Sequence, residues 1–245
     1  EGTNDPKVKQ VLASAKVPGD VSDQTWTFNG NVGSLTLGNL TNWTLDLNSN
    51  LKSLKAGQII NGVIDVDGDA GSVTAKTWEG SITAESMKLL NITGDKRNNV
   101  VAKFEGQFTL HGTADSRKQV LRSAKIAGPV ANSTWAFNGD TGSITAGDID
   151  NWTLDINSSL KLLKVGAIGH AEVTVGDGSG DGNAGSITAQ RWDSGTLTAD
   201  YAKLVNITGN KRNNVDGNSG FDFSLLGTDD PRIKQVLASA KVADI

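Results

Sequence analysis

The sequence predicts an all-β fold with short helices, built as a parallel β-solenoid from two tandem repeat units. Three observations lead there: a long internal repeat, short strand patterns every nine or ten residues, and abundant turn formers. Glycine supplies 29 of the 245 residues, hydrophobic residues 37% and charged residues 20%. Such a balance fits neither a disordered acidic tail nor a membrane span, which needs about 20 consecutive apolar residues.

The segment 5–16, DPKVKQVLASAK, returns as DSRKQVLRSAK at 115–125 and as DPRIKQVLASAK at 230–241. Between these copies, NWTLDLN at 42–48 matches NWTLDIN at 151–157, and NITGDKRNN at 91–99 matches NITGNKRNN at 206–214. All six Trp fall into matched pairs: 26/135, 43/152 and 78/192. The units therefore run over 1–112 and 113–227, with the opening of a third at 228–245. The chain reads as a slice of a longer array.

Each unit opens on a helical pattern. Asn4 or Asp5 can cap it, Pro6 suits a first helical position, and Val8, Val11, Leu12 and Ala15 share a stripe. This predicts capping helices over 5–16 and 115–125, and another in the third copy. Strand patterns follow, centred near Leu35, Leu45, Leu54, Val63, Val73, Ile82 and Ile92. Period-two alternation in Ser-Leu-Thr-Leu and Ser-Ile-Thr-Ala sends Leu35, Val73 and Ile82 inward and Ser and Thr outward. Asn29-Gly30 and Asn138-Gly139 are hairpin signals and keep a Greek-key β-sandwich open as the alternative. The short runs Gly-Ser-Leu-Thr at 33–36, Gly-Ser-Val-Thr at 71–74 and Gly-Ser-Ile-Thr at 80–83 resemble the Gly-Ser-Ile-Thr-rich repeats of large bacterial surface proteins. That resemblance implies a parallel β-helix and an extracellular or cell-surface location.

Several chemistries are excluded or disfavoured. With no Cys there are no disulfides, thiolate-bound metals or thiol catalysis. With a net charge of −4, a sequence pI near 5.2 and no Lys/Arg cluster, the expectation is no nucleic-acid face and no nucleic-acid partner. The two histidines, His111 and His170, are opposite Leu226 and Asn61 in the repeat, so neither belongs to a duplicated catalytic set. The expectation is a protein without catalysis and without a required cofactor.

Two candidate sites remain. Asp65, Asp67 and Asp69, and Asp177, Ser179 and Asp181, place oxygen ligands at alternate positions, as calcium loops do. Lys76 and Thr188 stand where such a loop has its bidentate Glu, which leaves calcium as an option only. Trp78 and Trp192 follow polar residues at corners, where an exposed indole would stack on a sugar and make the chain a carbohydrate-binding module. The leading expectation is a structural module, a stalk, filament or adhesin shaft, associating end to end, without membrane insertion and with polysaccharide as the alternative partner.

Overall fold

The alternating small-polar and branched-apolar runs do form strands, and the strands pair in parallel throughout. The computed structural model describes residues 10–112, 119–178, 182–209, 217, 220–227 and 235–242. Two parallel sheets result, each coil giving one strand to each. The front sheet stacks β1 (Leu12–Val17), β3 (Val32–Leu37), β5 (Leu51–Lys55), the second halves of β6 (Gln58–Ala75) and β7 (Thr77–Ile92), then β9 (Leu121–Ile126). It continues through β11 (Thr141–Thr145), β13 (Leu160–Lys164), β15 (Asn183–Ala189), β17 (Tyr201–Ile207) and β19 (Leu237–Val242). The back sheet holds β2 (Val21–Phe28), β4 (Leu40–Leu47), the first halves of β6 and β7, and β8 (Phe104–Leu110). Beyond it lie β10 (Val130–Phe137), β12 (Ile149–Ile156), β14 (Ala167–Val175), β16 (Arg191–Ala199) and β18 (Asp222–Leu225).

The common coil is nineteen residues long, so equivalent side chains stack directly. Along the front sheet Leu35, Leu54, Val73, Leu90, Ala124, Ile144, Leu163, Ile187 and Val205 form one buried row, paired strand to strand. Burying each large aliphatic member is worth about 1.5–3 kcal/mol, and that row faces a second one from the back sheet. Inward placement of Leu35, Val73 and Ile82 agrees with the alternation. At the strand centre near Val63, Val63 itself is exposed and its neighbour Ile64 fills the core.

The predicted helices are corrected within the described residues. Leu12–Val17 is β1, Leu121–Ile126 is β9 and Leu237–Val242 is β19; the segments 1–9, 113–118 and 228–234 lie outside the described residues. The cause is visible in the burial. In β9, Leu121, Ala124 and Ile126 point inward while Arg122 and Ser123 both point outward. An inward spacing of three and then two reproduces the start of a helical stripe, but here it comes from a strand that turns two successive residues outward.

The hairpin signals are corrected too. Asn29-Gly30 joins β2 to β3, yet these strands sit in opposite sheets, and β2 pairs with β4. The Asn side chain works as a corner rung instead: Asn48 Nδ2 donates to Asn29 Oδ1 at 2.9 Å, and Asn157 donates likewise to Asn138. At the next corner position Asn31 Oδ1 accepts from Asn50 N at 3.2 Å and from Ser49 Oγ at 2.6 Å, and Asn50 Oδ1 accepts from Asp69 N at 2.7 Å. A third rung lies within the back sheet. Asp23, Asn42 and Asn61 take left-handed φ values of 55°, 50° and 51°, a conformation Asn and Asp tolerate better than other side chains. Their side chains stack at 2.9 and 3.1 Å.

Candidate functional site

The corners and the core absorb most residues that the sequence offered as site candidates. Trp78 and Trp192 are both fully buried, which corrects their expected exposure and denies a sugar any access to the indole faces. Trp78 stacks with Phe104 at a centroid distance of 6.3 Å, and Trp192 stacks with Phe221 at 4.3 Å. Trp192 also donates through Nε1 to Ser194 O at 3.0 Å. The pairs Trp26–Trp43 and Trp135–Trp152 pack edge to face at 5.6 and 5.3 Å, the geometry favoured by the ring quadrupole.

The acidic candidates are dispersed. Asp65 lies outward on the back-sheet half of β6, directly beside Asp46 of β4. Asp67 is exposed at the corner, and Asp69 accepts from Ser86 Oγ at 2.6 Å. Asp177 is exposed, whereas Ser179 and Asp181 lie outside the described residues. Among the described residues no three His, Cys, Asp or Glu side chains converge as a metal group would require.

An acid that sequence reasoning missed controls the second loop. Asp200 is fully buried and accepts from Gly178 N at 3.1 Å and from Gly182 N at 2.8 Å, tying the two ends of the loop to the corner before β17. Its only sequence signal is an acid between two buried Ala-containing strands. His170 Nδ1 stands 3.1 Å from Ser194 Oγ, but that hydroxyl donates to Gly169 O at 2.9 Å, which engages its proton.

The segment Lys96–Asn98 is a single 3₁₀ turn, capped by Asp95 and closed by Asn99 at φ 56°. Asp95 accepts from Arg97 N at 3.1 Å and pairs with Lys76 at 2.5 Å. The Lys76 ammonium is the main reason that its carboxyl is held at about 2. A second local pair, Lys103 with Glu105 at 2.8 Å, raises the lysine and lowers the glutamate through their mutual hydrogen bond.

What the fold does assemble is a pair of charged faces. Apart from Asp67, Asp69 and Glu85, at the corners where β6 and β7 pass from one sheet to the other, every charged residue in the front-sheet strands is basic. Lys16 lies on β1, Lys52 and Lys55 on β5, Lys88 on β7, Arg122 and Lys125 on β9, Lys161 and Lys164 on β13, Lys203 on β17 and Lys241 on β19, all exposed. Strands β3, β11 and β15 carry no charge, and the front half of β6 carries no base. The outer row thus reads Lys16, Thr36, Lys55, Thr74, Asn91, Lys125, Thr145, Lys164, Thr188, Asn206, Lys241 in register. Interposed Thr and Asn strands hold the like charges mostly two or more steps of about 4.8 Å apart. In the row beside it, glycine alternates with the bases for a steric reason: a Cβ on Gly71 would lie 2.1 Å from Lys52 O. None of these cations has a carboxylate within ion-pair distance among the described residues.

The back sheet is the converse. Asp23, Asp46, Asp65 and Glu79 occupy its first coils, followed by Glu105, Asp150, Asp155, Glu172, Asp193 and Asp222, against Arg191 as the lone Lys or Arg in these strands. Arg191 is neutralised at home by Asp193 at 2.7 Å. Shallow grooves run along the front-sheet corner, one of about 540 Å³ bordered by Asp140, Ser159, Lys161, Ser186 and Lys203. The chain matches no family model, no curated protein and no solved structure at a significant level.

Proposed function

We propose that the chain is a structural module, two tandem repeat units of a rigid shaft in an extracellular or cell-surface protein, without catalysis. The observation that carries this reading is the identity of the first and last front strands. Both β1 and β19 read Leu-Ala-Ser-Ala-Lys-Val, and on β1 that sequence already carries β3 on the edge that β19 leaves open. The edge of β19 is therefore chemically able to receive a further coil. The last coil also leaves Phe223, Leu226, Val236 and Val242 exposed, an apolar end that another coil would cover. In such an array each coil contacts only its neighbours, so length is added without new contacts having to evolve.

Small-angle scattering over a concentration series, at high salt to suppress lateral charge attraction, tests the reading. The expected result is a rod that lengthens at constant cross-section as concentration rises. A compact particle whose dimensions are concentration-independent and not rod-like would overturn it.

A further inference from the structure

We infer that the basic front face docks on the acidic back face of a second copy, so that solenoids associate side by side as well as end to end. A net charge of −4 conceals this segregation, since the front strands carry bases and, apart from Asp67, Asp69 and Glu85 at the β6 and β7 corners, no acids, while the back strands carry almost only acids. Both sheets belong to the same coils and therefore share one repeat of about 4.8 Å along the axis. Two copies laid parallel present charges on a commensurate grid: Lys55, Lys125 and Lys164 on one, Asp46, Asp65 and Asp155 on the other. Outside the charged positions both faces carry many small Ser and Thr, as at Ser34, Ser53 and Ser72 in front and Thr44, Thr134 and Thr153 behind, interrupted by Leu89, Leu162 and Leu204 in the front row and by Val63 and Gln107 in the back row. The acids nearest the front face, Asp69 and Asp140, sit at the corner and are engaged by Ser86 and Ser158.

The two surfaces differ, so the contact is heterologous and does not close on itself: each added copy offers the same free face again. Exposed pairs at such a contact are individually weak and are screened beyond a Debye length of about 10 Å at 0.1 M salt. The association must therefore arise from many pairs and dissolve with salt. End-to-end stacking through backbone hydrogen bonds and apolar side chains resists salt, which separates the failure of one idea from that of the other.

The test is the radius of gyration of the cross-section, with sedimentation velocity, for the full chain at about 20 mM and 500 mM NaCl. The expected result is a cross-section at low salt at least twofold larger, reverting at high salt. The triple variant Lys55→Glu/Lys125→Glu/Lys164→Glu and the triple variant Asp46→Lys/Asp65→Lys/Asp155→Lys should each stay thin, and an equimolar mixture should thicken again. Lys55→Gln/Lys125→Gln/Lys164→Gln, which adds no repulsion, should weaken thickening in the same sense, with circular dichroism confirming that every variant keeps its strands. A wild-type cross-section that ignores salt, or a mixture that fails to associate, would overturn the inference. Capture of heparin by the front face with no self-association would also overturn it, in favour of a polyanion as the occupant.

Discussion

At the residue scale, few polar or charged residues are buried among the described residues: Thr77, Ser133, Thr141 and Asp200. Asp200 is the clearest case, because a fully buried carboxylate requires hydrogen-bond donors and finds them in Gly178 N and Gly182 N. Replacing it by Ala leaves two amides without their acceptor. We expect Asp200→Ala to cost about 1–3 kcal/mol in chemical denaturation, with Asp200→Asn losing less because an amide oxygen still accepts. Faster proteolysis within 176–182 should accompany the loss, and unchanged stability and cleavage in Asp200→Ala would refute the anchoring role. The indoles follow the opposite logic. Trp43, Trp78, Trp135 and Trp152 have buried Nε1 atoms without a hydrogen-bond acceptor, a cost outweighed by the large area each ring buries.

At the scale of elements, strands and corners behave as stacked rungs, and the turn at Lys96–Asn98 is the main interruption between coils in the first half. Asp95 both caps this turn and pairs with Lys76. Its folded value of about 2 lies below the ordinary aspartate value of 3.8, so its contribution is fully present above about pH 4 and is lost as pH falls toward 2. Wild type should therefore lose more stability than Asp95→Asn between pH 4 and pH 2, measured by urea denaturation at each pH. Parallel curves for the two proteins across that window would remove Asp95 from the account. The strands themselves show why the helix expectation failed. Val11, Leu12 and Ala15 are spaced as a helix would have them, but so are the inward residues of any strand that turns two neighbours outward, as β5 and β13 also do. Period alone did not separate the two, and the decisive cue was the recurrence of that spacing every nineteen residues across segments with no helix signal.

At the scale of the whole molecule, the stacking of coils in register, most often nineteen residues apart in the first unit and around β11 and β12, makes length modular there. Deleting 139–157, one coil of nineteen residues, joins Asn138 to Ser158 and would lay β9 on β13 and β10 on β14 in the register that β11 and β12 now mediate. We expect this variant to remain a cooperatively folded β protein, shorter by about 4.8 Å in scattering and weakened by the loss of the Trp135–Trp152 contact. Deleting only 139–148 would put a back-sheet strand where a front-sheet strand belongs and expose its inward row, so it should fail to fold. If both deletions were equally disruptive, the nearest-neighbour picture would be wrong.

The sequence by itself determined the β class, the repeat and most of the inward rows, because period-two alternation and self-similarity are local properties of the chain. It pointed to a parallel solenoid through strands too short and too alike for a sandwich. Only the tertiary structure decided that the 12–17 and 121–126 segments are strands, that Trp78 and Trp192 are core, and that Asn-Gly makes corners. It alone assembled the two faces. Lys55, Lys125 and Lys164 are far apart along the chain, beside no run of bases, and Asp46, Asp65 and Asp155 are equally scattered. Coils stacked in register and folded into two sheets sort residues by their phase within the coil rather than by their order, and that sorting turns a nearly balanced sequence into one basic and one acidic surface.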